Sequence, residues 1–272
     1  MSAQLLIPWF RYYPFAVEIG PTQFTLYPFR AMMWTGVVTS LVIAVLFAHE
    51  QGRSLRETVR FGAYILVFAF PVSKLFNALF YQPGTWDSLL ENPASILDIP
   101  LGWSMYGGVL GGILGAWVWK WRTHGSILEI GDSFAFAGPF GWCIGRVGCF
   151  MVHDHPGRVS DFALAVADFQ VGKPPWPPRH DLGLYEAIVL AVISILFLIL
   201  SRKPRKPGVY LGLVGLLYLP ARFFLDFLRA PHLDGGDIRY AGLTPSQYVS
   251  IGLFIVGVFV VHRLRASSAE PI

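Results

Sequence analysis

Residues 138–158 read GPFGWCIGRVGCFMVHDHPGR. From Gly138 to Val152 every residue but Arg146 is small or apolar, which predicts a membrane-spanning helix that carries one charge at depth. A cationic side chain in the bilayer costs about 3 kcal/mol or more unless it meets an anion or water. Arg146 therefore needs a partner. The run then opens into His153, Asp154 and His155 and closes at Pro156-Gly157, where a helix has to end. The stretch reads as an anion-handling site with acid–base groups just above it.

The rest of the chain fits a membrane setting. Of its 272 residues 54% are hydrophobic and 14% charged, and the mean hydropathy is +0.52, too apolar for an ordinary soluble domain. We expect an all-α polytopic membrane protein forming one membrane-embedded domain over residues 1–272. The opening MSAQLLIPWFRYYPF has neither the charged n-region nor the cleavage site of a secretory signal and is expected to stay in the mature protein. The two cysteines, Cys143 and Cys149, lie six residues apart and would point to different faces of a helix, so the sequence predicts neither a disulfide nor a zinc site. No dense basic stripe accompanies the net charge of +4, which argues against nucleic acid as a partner.

Seven apolar segments are long enough to cross a bilayer. They run from Tyr27 to about Ala48, Val59 to Tyr81, Leu101 to Trp121, Asp132 to Val152, Leu182 to Leu200, Gly208 to Leu228, and from Thr244 to the HRLR near the C-terminus. Pro71 should kink the second, and the glycines of MYGGVLGGILG in the third should let helices approach closely. Thr244-Pro245-Ser246-Gln247 suits a helix start. The longest connection, His153 to Asp181, contains KPPWPPRHD, whose prolines exclude a long helix. The connections after spans one, three and five and the C-terminal end hold three, two, four and two Lys or Arg, whereas the connection after span two has Asp87, Glu91 and Asp98 and no base. The positive-inside rule then puts the N-terminus and residues 153–181 outside and the C-terminus in the cytoplasm.

That orientation gathers scattered polar groups. Arg146 and Arg222 each lie fourteen residues above the cytoplasmic start of their spans and Lys74 fifteen, roughly 21 Å at about 1.5 Å per residue. Tyr106, Tyr185 and Glu186 fall at similar depth on descending spans. Arg222, Asp226 and Arg229 share one helix face. Asp226 and Glu186 are the nearby carboxylates, so the layer is expected to carry surplus positive charge, and a lipid phosphate is the fitting anion because guanidinium binds it through paired hydrogen bonds. Each residue also has a plainer reading. Arg222–Asp226 could be a structural ion pair; histidines 153, 155 and 180 could be solvated loop residues; Tyr106 and Tyr27 could be interfacial aromatics; Lys74 could snorkel.

Taken in order, these motifs resemble the prolipoprotein diacylglyceryl transferases over nearly the whole chain. FAVEIGPTQFTLY is similar to the family's opening segment, with Tyr27 at its recurrent tyrosine; SKLFNALFY resembles the second-helix motif, with Lys74 where an arginine is usual. GRVGCFMVHDHPGR resembles the family signature, PPRHDLGLYE the motif that supplies His180, Tyr185 and Glu186, and KPGVYLGLVGLLYLPARFFLDFLRAP the sixth helix with Arg222. The chain departs from the pattern at Tyr106, where a histidine is usual, at Cys149 and Val152, each in place of asparagine, and at Asp154 and Asp226, each in place of glutamate.

The resemblance implies an enzyme that moves the diacylglyceryl group of phosphatidylglycerol onto the lipobox cysteine of a preprolipoprotein and releases glycerol phosphate. Arg146 and Arg222 would hold the phosphate, with Tyr27, Lys74, Glu186 and Asp226 completing the lipid site. A thiol of pKa about 8.5 needs a base or a positive field, so Tyr106, His180, His153 or Asp154 would take its proton. The implied enzyme uses no metal or organic cofactor, acts as a monomer in the bacterial cytoplasmic membrane, and opens to the outer leaflet. Two other readings stay open: the same lipid donor with a different acceptor, and a non-catalytic phospholipid- or anion-binding protein.

Overall fold

A computed structural model describes residues 6–19, 22–81, 85, 90–91, 103–170, 173–230, 237 and 239–266. Among them are seven α-helices: α1 (Pro28–Glu50), α2 (Leu55–Tyr81), α3 (Met105–Thr123), α4 (Ile127–Val152), α5 (Leu182–Ser201), α6 (Val209–Leu225) and α7 (Pro245–Ala266). A 3-10 turn, Asp226–Leu228, prolongs α6. The fold is all-helical as expected, with two short strand pairs added to it. β1 (Phe15–Ile19) pairs antiparallel with β2 (Thr22–Leu26), and β3 (Pro156–Val159) pairs antiparallel with β4 (Arg179–Asp181).

Among the described residues six helices are long and apolar enough to cross a membrane: α1, α2, α4, α5, α6 with its 3-10 turn, and α7. The chain is a multi-pass membrane protein. Helix α3, the core of the expected third span, is not among the six, because five of its 19 residues are glycine and Lys120 and Arg122 occupy its last turn. The predicted start of that span at Leu101 lies outside the described residues, as do Asp87 and Asp98. Helix α4 begins at Ile127, five residues before the predicted Asp132, because Ser126 Oγ accepts from the Glu129 amide and starts the helix there.

The chain divides into two compact units, Met1–Ile43 with Ala135–Ile272, and Ala44–Phe134. In the second, α2 and α3 touch along Gly107, Gly111 and Gly115, one per turn of α3. A Cβ on Gly111 would lie 2.5 Å from the Phe68 carbonyl oxygen, so the glycines permit the close approach that their spacing predicted. Phe61, Ala116, Trp119 and Ile130 form the buried apolar cluster of this unit. Arg53 pairs with Asp132 at 3.7 Å and donates to Ser133 at 2.6 Å, so both acidic and basic groups at this buried spot are answered.

In the first unit the long connection is folded rather than solvated. Ile7 bonds Ala165 and Ala167 through its backbone, and Val166 exchanges backbone bonds with Arg179. Gly157 is pressed against the His180 carbonyl and Leu228, where a Cβ would lie 2.7 Å from the former oxygen. Asp181 caps α5 by accepting from the Leu184 amide at 3.0 Å. At α7 the predicted start is present in full, with Gln247 Oε1 accepting from the Thr244 amide and Thr244 Oγ1 accepting from the Gln247 amide.

Candidate active site

Arg146 on α4, Glu186 on α5 and Arg222 on α6 meet inside the first unit. Glu186, fully buried, accepts from Arg146 Nε at 2.9 Å and lies 3.4 Å from Arg222 Nε. The Tyr218 hydroxyl, one turn before Arg222, donates to the same carboxylate at 2.9 Å. Three rigid helices thus aim two guanidiniums at one carboxylate, a trio with one positive charge left over.

A second carboxylate extends the network. Asp226 receives Arg222 Nη1 at 2.6 Å and Arg229 Nε at 3.0 Å. Thr244 and Ser246, from the start of α7, donate to its other oxygen. Arg229 also meets Asp237 at 3.1 Å. Across this wider network three guanidiniums face three carboxylates, so these six groups carry no surplus positive charge of the kind expected of the layer. The sequence hid this balance because no periodicity pairs Asp237 with Arg229.

Above Arg146 the chain assembles a thiol, an imidazole and a carboxylate. Arg146 Nη1 lies 3.7 Å from Cys149 Sγ, three residues along the same helix face, and 3.2 Å from His155 Nε2. His155 Nδ1 is hydrogen-bonded to Asp154. The Cys149 sulfur, a His155 ring nitrogen and an Asp154 oxygen all lie within 4.8 Å of one another. Burial works against charge on His155, but Asp154 and then Cys149 outweigh it and push its pKa up to about 10. Asp154 is also resisted by burial, yet His155 and Arg146 hold it below the ordinary carboxylate range. The three donor atoms could in principle hold a soft divalent cation, but the Arg146 guanidinium stands among them and opposes one. Cys143, the other cysteine, turns away and donates to the Ala187 carbonyl at 3.4 Å.

The remaining predicted residues fall elsewhere. His153 is not a solvated loop residue: it is buried, bonded to Asp181 at 2.6 Å, and stacked on Trp9 with ring centroids 4.6 Å apart, which makes it a structural pin for the N-terminal segment. His180 bonds the Tyr185 hydroxyl at 2.7 Å, and partial burial lowers its pKa. Both line an apolar groove with Phe162, Ile188, Leu225 and Leu228. Tyr27 is exposed and lies under the Arg30 guanidinium at 4.4 Å. Lys74 and Tyr106 belong to the second unit, Tyr106 buried and Lys74 half-buried. Tyr218 is the site residue that sequence reasoning passed over, while His155 was read among the acid–base groups and Cys149 only as a departure from the family pattern. The one-turn spacing of Tyr218 from Arg222 was a usable signal.

Fold and site together define a multi-pass membrane protein with a buried arginine–carboxylate cluster beside acid–base groups. The chain belongs to the prolipoprotein diacylglyceryl transferase family, whose profile matches residues 14–263. It is 28% identical over 263 residues to a phosphatidylglycerol–prolipoprotein diacylglyceryl transferase of Janthinobacterium sp. (strain Marseille), covering 91% of this chain and 94% of that protein. A protein of the same name from Nitratidesulfovibrio vulgaris is 30% identical over 267 residues, covering 95% of this chain and 96% of the relative. Another from Pseudomonas paraeruginosa is 34% identical over 205 residues, 73% of each chain.

Proposed function

We propose that this protein transfers the diacylglyceryl group of phosphatidylglycerol to the lipobox cysteine of a preprolipoprotein. The observation that carries the reading is the Arg146–Glu186–Arg222 trio, in a chain whose relatives bear the name of that activity. Glu186 fixes the two guanidiniums side by side, and their remaining N–H donors receive the lipid phosphate. Asp226 holds Arg222 from behind, through charge-assisted hydrogen bonds. As the carbon–oxygen bond to phosphate breaks, charge develops on the leaving group, and preorganised donors at low dielectric stabilise it without reorganising.

The attacking thiol gives up its proton before or as it attacks. We assign that proton to His180, which partial burial favours in the neutral form able to accept it, in preference to Tyr106, which is a poor neutral base, and to His155, which Asp154 holds protonated. The apolar groove beside His180 and Tyr185 suits an acyl chain of the donor. Tyr27 completes the lipid site in this reading. The basic connections support an orientation with residues 153–181 outside and the C-terminus in the cytoplasm, in the bacterial cytoplasmic membrane, with the site open to the outer leaflet.

Complementation tests the reading. In a strain depleted of its own transferase, this chain should restore growth and lipoprotein modification, and Arg146→Ala, expressed to the same level, should restore neither. Rescue by Arg146→Ala, or failure of the parent chain to modify any lipoprotein, refutes it.

A further inference from the structure

The groove beside His180 has apolar walls, Phe162, Ile188, Leu225 and Leu228 among them, and two polar groups, the His180 ring and the Tyr185 hydroxyl. The two share one hydrogen bond, 2.7 Å from Nδ1 to the phenol oxygen. Tyr185 is 8% exposed, so its hydroxyl belongs to the groove and not to open solvent. Both rings rest against Phe162, at centroid distances of 6.2 Å for Tyr185 and 6.1 Å for His180, which holds the pair at the groove wall. Counting protons decides what the pair offers to a bound molecule. A neutral imidazole carries one N–H. For His180 to accept a thiol proton at Nε2, that N–H has to sit on Nδ1, and it then donates to the Tyr185 oxygen. The hydroxyl's own proton is left over, since among the described residues the bond to His180 is the only one Tyr185 makes through its oxygen. A buried donor against apolar walls is costly to leave unmet, which makes an acceptor on the bound molecule its fitting partner.

We propose that the Tyr185 hydroxyl donates to an acyl-ester carbonyl of the bound donor lipid, so that the site prefers ester-linked phosphatidylglycerol to its ether-linked counterpart. The proposal rests on the reading that Arg146 and Arg222 receive the lipid phosphate. Tyr185 directly precedes Glu186 on α5, and Leu225 directly precedes Asp226 at the end of α6. Groove and arginine cluster are thus built on neighbouring residues, whose Cα atoms lie about 3.8 Å apart. A phospholipid has its parts in the same order: phosphate, glycerol with its ester carbonyls, acyl chain. With the phosphate at the guanidiniums and a chain in the groove, the ester falls beside the hydroxyl. His180 Nε2 then stands near the glycerol, where the thiol has to arrive. A lipobox segment could also fill an apolar groove, but it lacks the anion that the neighbouring guanidiniums take. No covalent bond changes at the ester: Tyr185 selects the lipid and takes no part in the chemistry.

The ether analogue supplies the test, because replacing the ester carbonyls by methylenes keeps the headgroup, the chains and the carbon that bears the phosphate. Purified full-length protein in neutral-lipid micelles is given equal amounts of diester and diether phosphatidylglycerol, and the retained lipids are counted by mass spectrometry. The parent chain should retain the diester about three- to tenfold over the diether, the difference one hydrogen bond makes. Tyr185→Phe, which loses the hydroxyl and keeps the ring, should retain the two equally. A Tyr185 that merely packs, or merely orients His180, would change both lipids alike and leave their ratio as it was. Equal retention by the parent overturns the proposal, as does an undiminished ratio in Tyr185→Phe. So does loss of the preference on adding a lipobox peptide in which serine replaces the cysteine, which would give the groove to the acceptor. Retention of neither lipid removes the phosphate reading and this proposal with it. Transfer from both lipids to an intact lipobox peptide, without any preference in retention, removes the ester contact alone.

Discussion

Replacing Glu186 by glutamine keeps the shape of the side chain and deletes its charge, which isolates what the carboxylate does between Arg146 and Arg222. Glu186 is fully buried and serves Arg146 at 2.9 Å, Tyr218 at 2.9 Å and Arg222 at 3.4 Å. Breaking a buried ion pair by removing one partner costs about 3–5 kcal/mol, because the other charge is left uncompensated. At about 1.4 kcal/mol per tenfold, that is a loss of at least roughly a hundredfold in the folded-to-unfolded ratio. The exposed pair Arg60–Glu57, at 3.5 Å with the Arg60 side chain 46% accessible, sets the scale for an ordinary ion pair. Arg60→Gln should cost no more than about 1 kcal/mol. The assay is thermal unfolding in neutral-lipid micelles and again with phosphatidylglycerol added. Glu186→Gln should lose far more stability than Arg60→Gln in neutral lipid and recover part of it with phosphatidylglycerol, whose phosphate supplies the missing negative charge. Equal stability of the two variants in neutral lipid would refute the buried-bridge reasoning, and a loss indifferent to the anionic lipid would refute phosphate binding there.

Arg222→Lys keeps the charge but cannot reach Glu186, Asp226 and Ser246 together, as the guanidinium does at 3.4, 2.6 and 3.3 Å. Transfer to a lipobox peptide should fall about tenfold or more while the protein stays folded. Gly111→Leu would drive a side chain into the Phe68 carbonyl oxygen at 2.5 Å and the Ala69 Cα at 2.8 Å, and should lower stability by about 1–3 kcal/mol or more. Gly112→Ala, whose Cβ meets only Ile65 at 3.4 Å, should be mild in the same unfolding assay. For His155 the folded-state pKa, pushed up to about 10, lies above the free value of about 6.5, so folding favours the protonated ring. Its contribution is full below the free value, declines as pH rises, and is gone above pH of about 10. Unfolding followed across that window should show a wild-type decline that His155→Gln lacks.

The membrane class, the helical segments and the buried arginines were legible in the sequence because each rests on local physics: length, hydropathy and the penalty for charge in lipid. Arg146, Glu186 and Arg222 were matched by depth and by the family motifs they resemble, and the helices bring them together. Depth carries no rotation about a helix axis, which is why Tyr218 went unnoticed although it serves the same carboxylate. Polar residues in loops were harder still. His153 and His155 are two positions apart in sequence, yet one is pinned under Trp9 and the other faces Arg146, a division set by the β3–β4 pairing and by the positive φ of 50° at His153 rather than by residue type. The charge balance was misjudged for the same reason, since the pairing of Asp237 with Arg229 is not encoded locally.

Phosphatidylglycerol retained by the purified protein, counted by quantitative mass spectrometry, tests the central claim most directly. The parent chain and Arg60→Gln should carry the lipid through purification, and Arg146→Ala and Arg222→Ala should each lose it about tenfold or more. Folded Arg146→Ala that retains as much phosphatidylglycerol as the parent would contradict the account.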